Sequence, residues 1–160
     1  MRLFEKNAGP ASEETGIVLN LLAEVYRKRH DMARAIAADE RSWEIVTGLA
    51  RPPEVVARIL VDLGALYRDS KRYDKALEMY QREAALLKNA PDQRNMYLSA
   101  ERNIVVSYVF LDDLANAKKE YQGLQALLKK DPAEQAAAAK AYSDALRDKK
   151  REKDARKKAK

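Results

Sequence analysis

Cysteine is absent from this 160-residue chain, which excludes disulfides and thiolate metal sites and leaves the redox compartment open. Histidine occurs once, at His30, so metal centres built on His or Cys clusters are excluded too. Glycine and proline are scarce, five of each, so the chain is punctuated only here and there. No Gly-rich phosphate loop and no serine-nucleophile motif is present. The adjacent acid pairs Asp39-Glu40 and Asp112-Asp113 point apart on a helix, and Asp113 reads as a cap. The chain therefore reads as no enzyme, with no cofactor, metal or small-molecule substrate. No apolar run approaches the roughly 18 residues of a membrane span. The opening MRLFEKNAGP has no apolar stretch of signal-peptide length, so the expected location is cytoplasmic, or exported after loss of a signal.

What is abundant are helix formers: Ala, Leu, Lys, Glu and Arg dominate, and 46% of residues are apolar. The net charge is +6, but residues 147–160 hold nine Lys/Arg against three Asp/Glu. That leaves 22 of each sign in 1–146, so the body is neutral and the excess sits at the C-terminus.

The chain also repeats itself every 41 residues. Tyr26, Tyr67 and Tyr108 are spaced so, as are Ala35, Ala76 and Ala117, and Tyr80 with Tyr121. A fixed period of this size marks stacked helical hairpins. Seven helical segments follow from period and punctuation, six of them pairing as three antiparallel hairpins. Ser12, Asp31 and Asp113 are expected N-caps, and Pro53 an expected first helical residue. The fifth helix is expected from about Asp92 to Leu111. The boundaries are a lead-in over 1–10, three repeats over 11–51, 52–91 and 92–131, a capping helix over 132–150 and a basic tail over 151–160. The cap's stripe is Ala138, Ala141, Tyr142, Ala145 and Leu146. Lys6-Asn7-Ala8 with Pro10 echoes Lys88-Asn89-Ala90 with Pro91 two periods on, so residues 2–8 read as the end of an earlier repeat or as an ordinary N-terminus.

Residues 60–80, LVDLGALYRDSKRYDKALEMY, resemble the tetratricopeptide repeat at Leu60, Leu63, Gly64, Tyr67, Tyr73, Ala76 and Tyr80. The third repeat keeps Ile104, Tyr108, Leu114, Ala117 and Tyr121 but has Val105 in place of the glycine. The first keeps Leu22, Ala23, Tyr26, Met32 and Ala35, with Asp39 in place of the third aromatic. The 41-residue unit is longer than the family's 34 and is similar to the extended repeats of kinesin light chains and bacterial peptide-sensing regulators. The resemblance implies an all-α, right-handed superhelical α-solenoid of three antiparallel hairpins plus a C-terminal capping helix.

It also implies a concave groove lined by the first helix of each hairpin. Carried over by position, that groove holds Asn20 and Arg27, then Arg58, Val61 and Arg68, then Arg102, Asn103, Val106 and Phe110. Four arginines beside apolar residues suggest a partner peptide or helix bearing acidic and apolar residues, gripped through carboxylates. The other reading of these arginines is a solvated face paired with local acids. The family's chaperone-type carboxylate clamp is not expected, because Glu24, Asp62 and Val106 stand at clamp positions and only Arg102 fits. The function expected is non-catalytic protein binding. One alternative is a scaffold or self-assembly segment of a longer repeat protein. A second is contact of the basic tail with the phosphates of RNA or a membrane surface, although the tail has no aromatic residue for base stacking and so no support for sequence-selective RNA reading.

Overall fold

The computed structural model describes residues 12–49 and 51–158. Among them lie seven α-helices, no strand, and a short 3-10 turn at Pro91–Gln93. The helices are α1 (Glu13–Lys28), α2 (Met32–Thr47), α3 (Pro53–Asp69), α4 (Tyr73–Leu87), α5 (Arg94–Phe110), α6 (Leu114–Leu127) and α7 (Pro132–Lys158). Helices α1/α2, α3/α4 and α5/α6 pack as hairpins, each stacked on the next, and α7 packs on α5 and α6. The lead-in and its echo of an earlier repeat lie outside the described residues.

Helix starts follow the side chains. Ser12, Asp31 and Asp113 each accept a hydrogen bond from the backbone N–H three residues on, at 3.1 Å. Asp131 does the same for α7. Such caps are worth ~1 kcal/mol each. Pro53 opens α3. The fifth helix begins at Arg94 instead of Asp92, because Pro91 starts a 3-10 turn that feeds it.

The hairpin turns carry a second 41-residue signature. His30, Lys71 and Asp112 all have left-handed backbone, with φ near 60–67°. Each is followed by a residue whose N–H bonds back to the carbonyl of Tyr26, Tyr67 or Tyr108. This six-to-one closure ends the first helix and aims the second back along it. None of the three is glycine, so each turn holds a side chain in a region that disfavours it. His30→Gly is therefore expected to stabilise the fold by ~0.5–1 kcal/mol, the relief of strain exceeding glycine's added entropy loss. A higher urea midpoint would show this. A lower one would mean that His30 makes a contact worth more than its strain.

The same tyrosines tie hairpin to hairpin. Tyr67 donates to Glu40 Oε1 at 2.5 Å, and one period later Tyr108 accepts from Gln81 at 3.2 Å. Asp39 and Glu40 thus face different ways, Glu40 toward α3's tyrosine and Asp39 toward α1. Trp43 is half-buried against the main core, with the Arg82 guanidinium over its ring, so it plugs the joint between hairpins.

The main core runs through the first two hairpins into α5, from Leu19 and Ala35 to Tyr80 and Ile104. The capping role of α7 is as expected: Ala138 and Ala145 are buried, and Tyr142 stacks on Tyr121 at 4.5 Å. The helix does not stop near 150. It continues unbroken to Lys158, where Lys149 donates to the Phe110 carbonyl, Lys153 pairs with Asp112 and Glu152 with Lys71. Within the stretch expected as a separate tail, Glu152 and Lys153 are thus tied to two hairpin turns.

Candidate functional site: the inner helix face

The face formed by α1, α3 and α5 gathers the residues expected to line a groove, but in unequal states. On α5, Arg102 is paired with Glu134 of α7, and Val106 and Phe110 pack in a cluster with Tyr142 and Leu146 of that helix. Phe110 also stacks on Tyr73 at 4.8 Å. Asn103 is half-buried beside them. The third hairpin's share of the groove is therefore occupied by the chain's own last helix. This follows from a contact 32 residues apart, Arg102 to Glu134, which no repeat pattern encodes.

The first two hairpins leave the face open. Arg27 pairs with Asp69 at 3.9 Å and Arg68 with the same carboxylate at 3.3 Å. The expected basic face thus reduces to Arg58, since Arg27, Arg68 and Arg102 have acids beside them. Val61 is half-buried against the main core. Exposed pairs of this kind contribute little to stability, and one carboxylate shared by two guanidiniums leaves a net positive charge there.

Two cavities lie along it and share Asn20. One, about 410 Å³, is lined by Ile17, Leu21, Val55, Ile59 and Met96 together with the charged Glu13, Arg51, Glu54 and Arg58. Ile17 and Leu21 are about half exposed there. The other, about 320 Å³, is lined by Asn20, Arg27, Asp39, Asp62 and Leu66 among others. Asn20 Nδ2 donates to Asp39 at 2.8 Å and to Asp62 at 3.2 Å, linking α1 to α2 and to the next hairpin.

Asp39 is 1% exposed, and burial pushes its carboxyl up to about 7, against the Asn20 hydrogen bond and with help from the Asp62 charge. Glu83, also 1% exposed, is raised to about 8 by burial and by Asp62, and its Oε2 has no hydrogen-bond partner. Glu83 escaped the sequence reading, although a Glu within an otherwise apolar stripe of α4 was a visible signal. Among the described residues no three His, Cys, Asp or Glu side chains are placed to hold a metal ion, and no helix is long and apolar enough to cross a membrane.

A tetratricopeptide-repeat family profile matches residues 14–89. Residues 14–89 are tetratricopeptide repeats. The stack as a whole superposes on the crystal structure of a Podospora anserina protein described as a kinesin light chain with nearly identical tetratricopeptide-like repeats. The TM-score is 0.78 at 13% identity, over 98% of this chain and 77% of the other. At that identity the likeness is one of fold. No curated protein matches the chain in sequence. Tetratricopeptide-repeat modules generally serve as protein-interaction or scaffold units.

Proposed function

We propose that this chain is a non-catalytic protein-interaction module that binds a partner peptide along α1 and α3, the inner face of its first two hairpins. The observation that carries this reading is the open trough built around Asn20. Its larger cavity offers half-exposed Ile17 and Leu21 to an apolar side chain, and Arg58 in its lining, which forms no ion pair among the described residues, can meet a carboxylate. Asn20 and Arg58 line the trough, whereas Arg102, Val106 and Phe110 contact α7, which bounds the groove.

The test uses the full chain and peptides selected on it from a random twelve-residue display library. Leu21→Arg and Arg58→Ala are each expected to weaken the selected peptides about tenfold or more, the loss of one well-placed anchor. Leu127→Arg, on the exposed side of α6, is expected to leave them unchanged. Equal weakening by Leu127→Arg, or none by Leu21→Arg, would place the binding surface elsewhere.

A second reading, a scaffold segment that self-associates, has an observation of its own. Ile17, Leu21 and Val25 are 47, 53 and 44% exposed along α1. One period on they correspond to Arg58, Asp62 and Leu66, the edge of α3 that turns toward the preceding hairpin. Sedimentation that depends on concentration in the wild type, and not in Leu21→Arg, would favour it.

A further inference from the structure

Helix α1 leaves open an apolar face that its successor buries. Leu63 and Leu66 of α3 are each 2% exposed, Leu63 lining a cavity with Glu40 and Trp43 of the preceding hairpin and Leu66 one with Ala23 and Asp39. Their counterparts one period back, Leu22 and Val25, are half-buried and exposed. A further hairpin stacked in the same geometry would cover that pair and leave Ile17 and Leu21 in water, because Arg58 and Asp62 at their positions in α3 stay exposed. Arg58 and Asp62 suit water, whereas Ile17 and Leu21 do not. What covers this face therefore reaches further round the helix than a stacked hairpin does.

The face is also its own complement when reversed. Glu14, Val18, Leu21, Leu22, Val25 and Arg29 fall within about 100° of arc on the helix. Turned end for end about the midpoint of Leu21 and Leu22, Val18 meets Val25 and Glu14 comes to the end held by Arg29. Both terminal charges are exposed, and neither takes part in an ion pair among the described residues. Glu14 is bonded to Ser12 at the helix start, with the charge of Arg51 in reach, and Arg51 itself is paired with Glu13 at 2.6 Å. Such self-complementarity suits a two-fold pair, in which the same patch serves on both partners.

We propose that a second copy of this chain covers α1, the two α1 helices packing antiparallel across a two-fold axis at Leu21 and Leu22. This rests on the self-association reading above and gives it a surface and a register. Val18 of each copy packs on Val25 of the other, the leucines sit at the axis, and two Glu14–Arg29 ion pairs close the ends. One helix pair is small for a protein interface, so the dimer is weak and reversible. It covers Leu21, so the dimer and a groove peptide exclude one another there.

Sedimentation of the full chain from low micromolar to several hundred micromolar is expected to show a monomer–dimer equilibrium. Glu14→Arg and Arg29→Glu each set like charges together at both ends and are expected to weaken it about threefold to tenfold. The double variant restores opposite charges and is expected to return to within about twofold of wild type. Both changes oppose the helix dipole, so a mere helix-end effect would make the double variant the worst of the three. Leu21→Arg, at an exposed site, is expected to weaken the dimer by about tenfold or more with little change in melting temperature at low concentration. A dimer lost in Leu21→Arg but indifferent to both charge reversals would overturn the antiparallel pairing and leave the self-association reading standing. A monomer at every concentration would overturn both, and the face would then belong to the groove peptide if Leu21→Arg weakens selected peptides. A monomer whose melting temperature falls when residues 1–8 are removed would assign the face to the chain's own N-terminus and overturn the dimer.

Discussion

Gly64→Ala is expected to remove roughly 2–3 kcal/mol of stability, and Gly64→Val more. A Cβ built on Gly64 would lie 2.6 Å from Tyr80 Cε1, 2.9 Å from Cζ and 3.0 Å from Cδ1. Those distances are well inside van der Waals contact, and the atoms are not the loose end of a flexible side chain. Tyr80 is fully buried, its ring enclosed by the hairpin, and its hydroxyl is buried without a partner. A packed interior transmits such an overlap as backbone displacement or an off-rotamer ring, at ~1–3 kcal/mol or more. For a chain of this length each kcal/mol lowers the melting temperature by about 2–4 °C.

The three hairpins run this contact as a size exchange. Position 23/64/105 is Ala, Gly and Val, and its counterpart 39/80/121 is Asp, Tyr and Tyr. Where glycine stands, the ring lies fully buried beneath it. Where Val105 stands, Tyr121 is half-buried and stacks outward on Tyr142 of α7. Tyr80→Leu in the Gly64→Ala background should therefore recover part of the loss, with a coupling of ~1–2 kcal/mol in a double-mutant cycle read by urea unfolding. Additive losses would show that the two residues do not meet.

The two residues of this contact were legible in the sequence as family positions, but that the Tyr80 ring lies under Gly64 was not. The caps at Ser12, Asp31 and Asp113 were legible because the side chain acts on a backbone group three residues away. What escaped depends on distance along the chain. Arg102, Val106 and Phe110 occupy groove positions by period, yet Glu134, Tyr142 and Leu146 of α7 cover them. The period describes each hairpin relative to its neighbour and is silent about a terminal helix that has no successor. For Arg27 and Arg68 the sequence left two readings open, a peptide-gripping face or pairing with local acids, and both lie beside the single carboxylate of Asp69. The left-handed residues His30, Lys71 and Asp112 share the period and could have been found by it. Their types hide the conformation, since none is glycine.

Stability is expected to rise as pH falls from 9 to 5, the opposite of what surface salt bridges give. Burial lifts the folded-state carboxyl of Asp39 from 3.8 to about 7 and that of Glu83 from 4.5 to about 8, each assisted by the Asp62 charge. Between those limits the native chain binds more protons than the unfolded one, so unfolding releases protons and raising the pH favours it. The stabilisation is complete below about pH 4 and is lost as pH rises through 7 and 8. Each pKa unit corresponds to ~1.4 kcal/mol, so the change across this window is on the order of 2–4 kcal/mol per group. Carboxyls held low by partners, such as Asp112 beside Lys153, act only on the acid side of it. Asp39→Asn preserves the acceptor for Asn20 and Glu83→Gln preserves shape, so each should flatten the profile and raise the melting temperature at pH 9. A wild-type profile that is flat or rises toward pH 9 would show that these carboxyls are not held protonated.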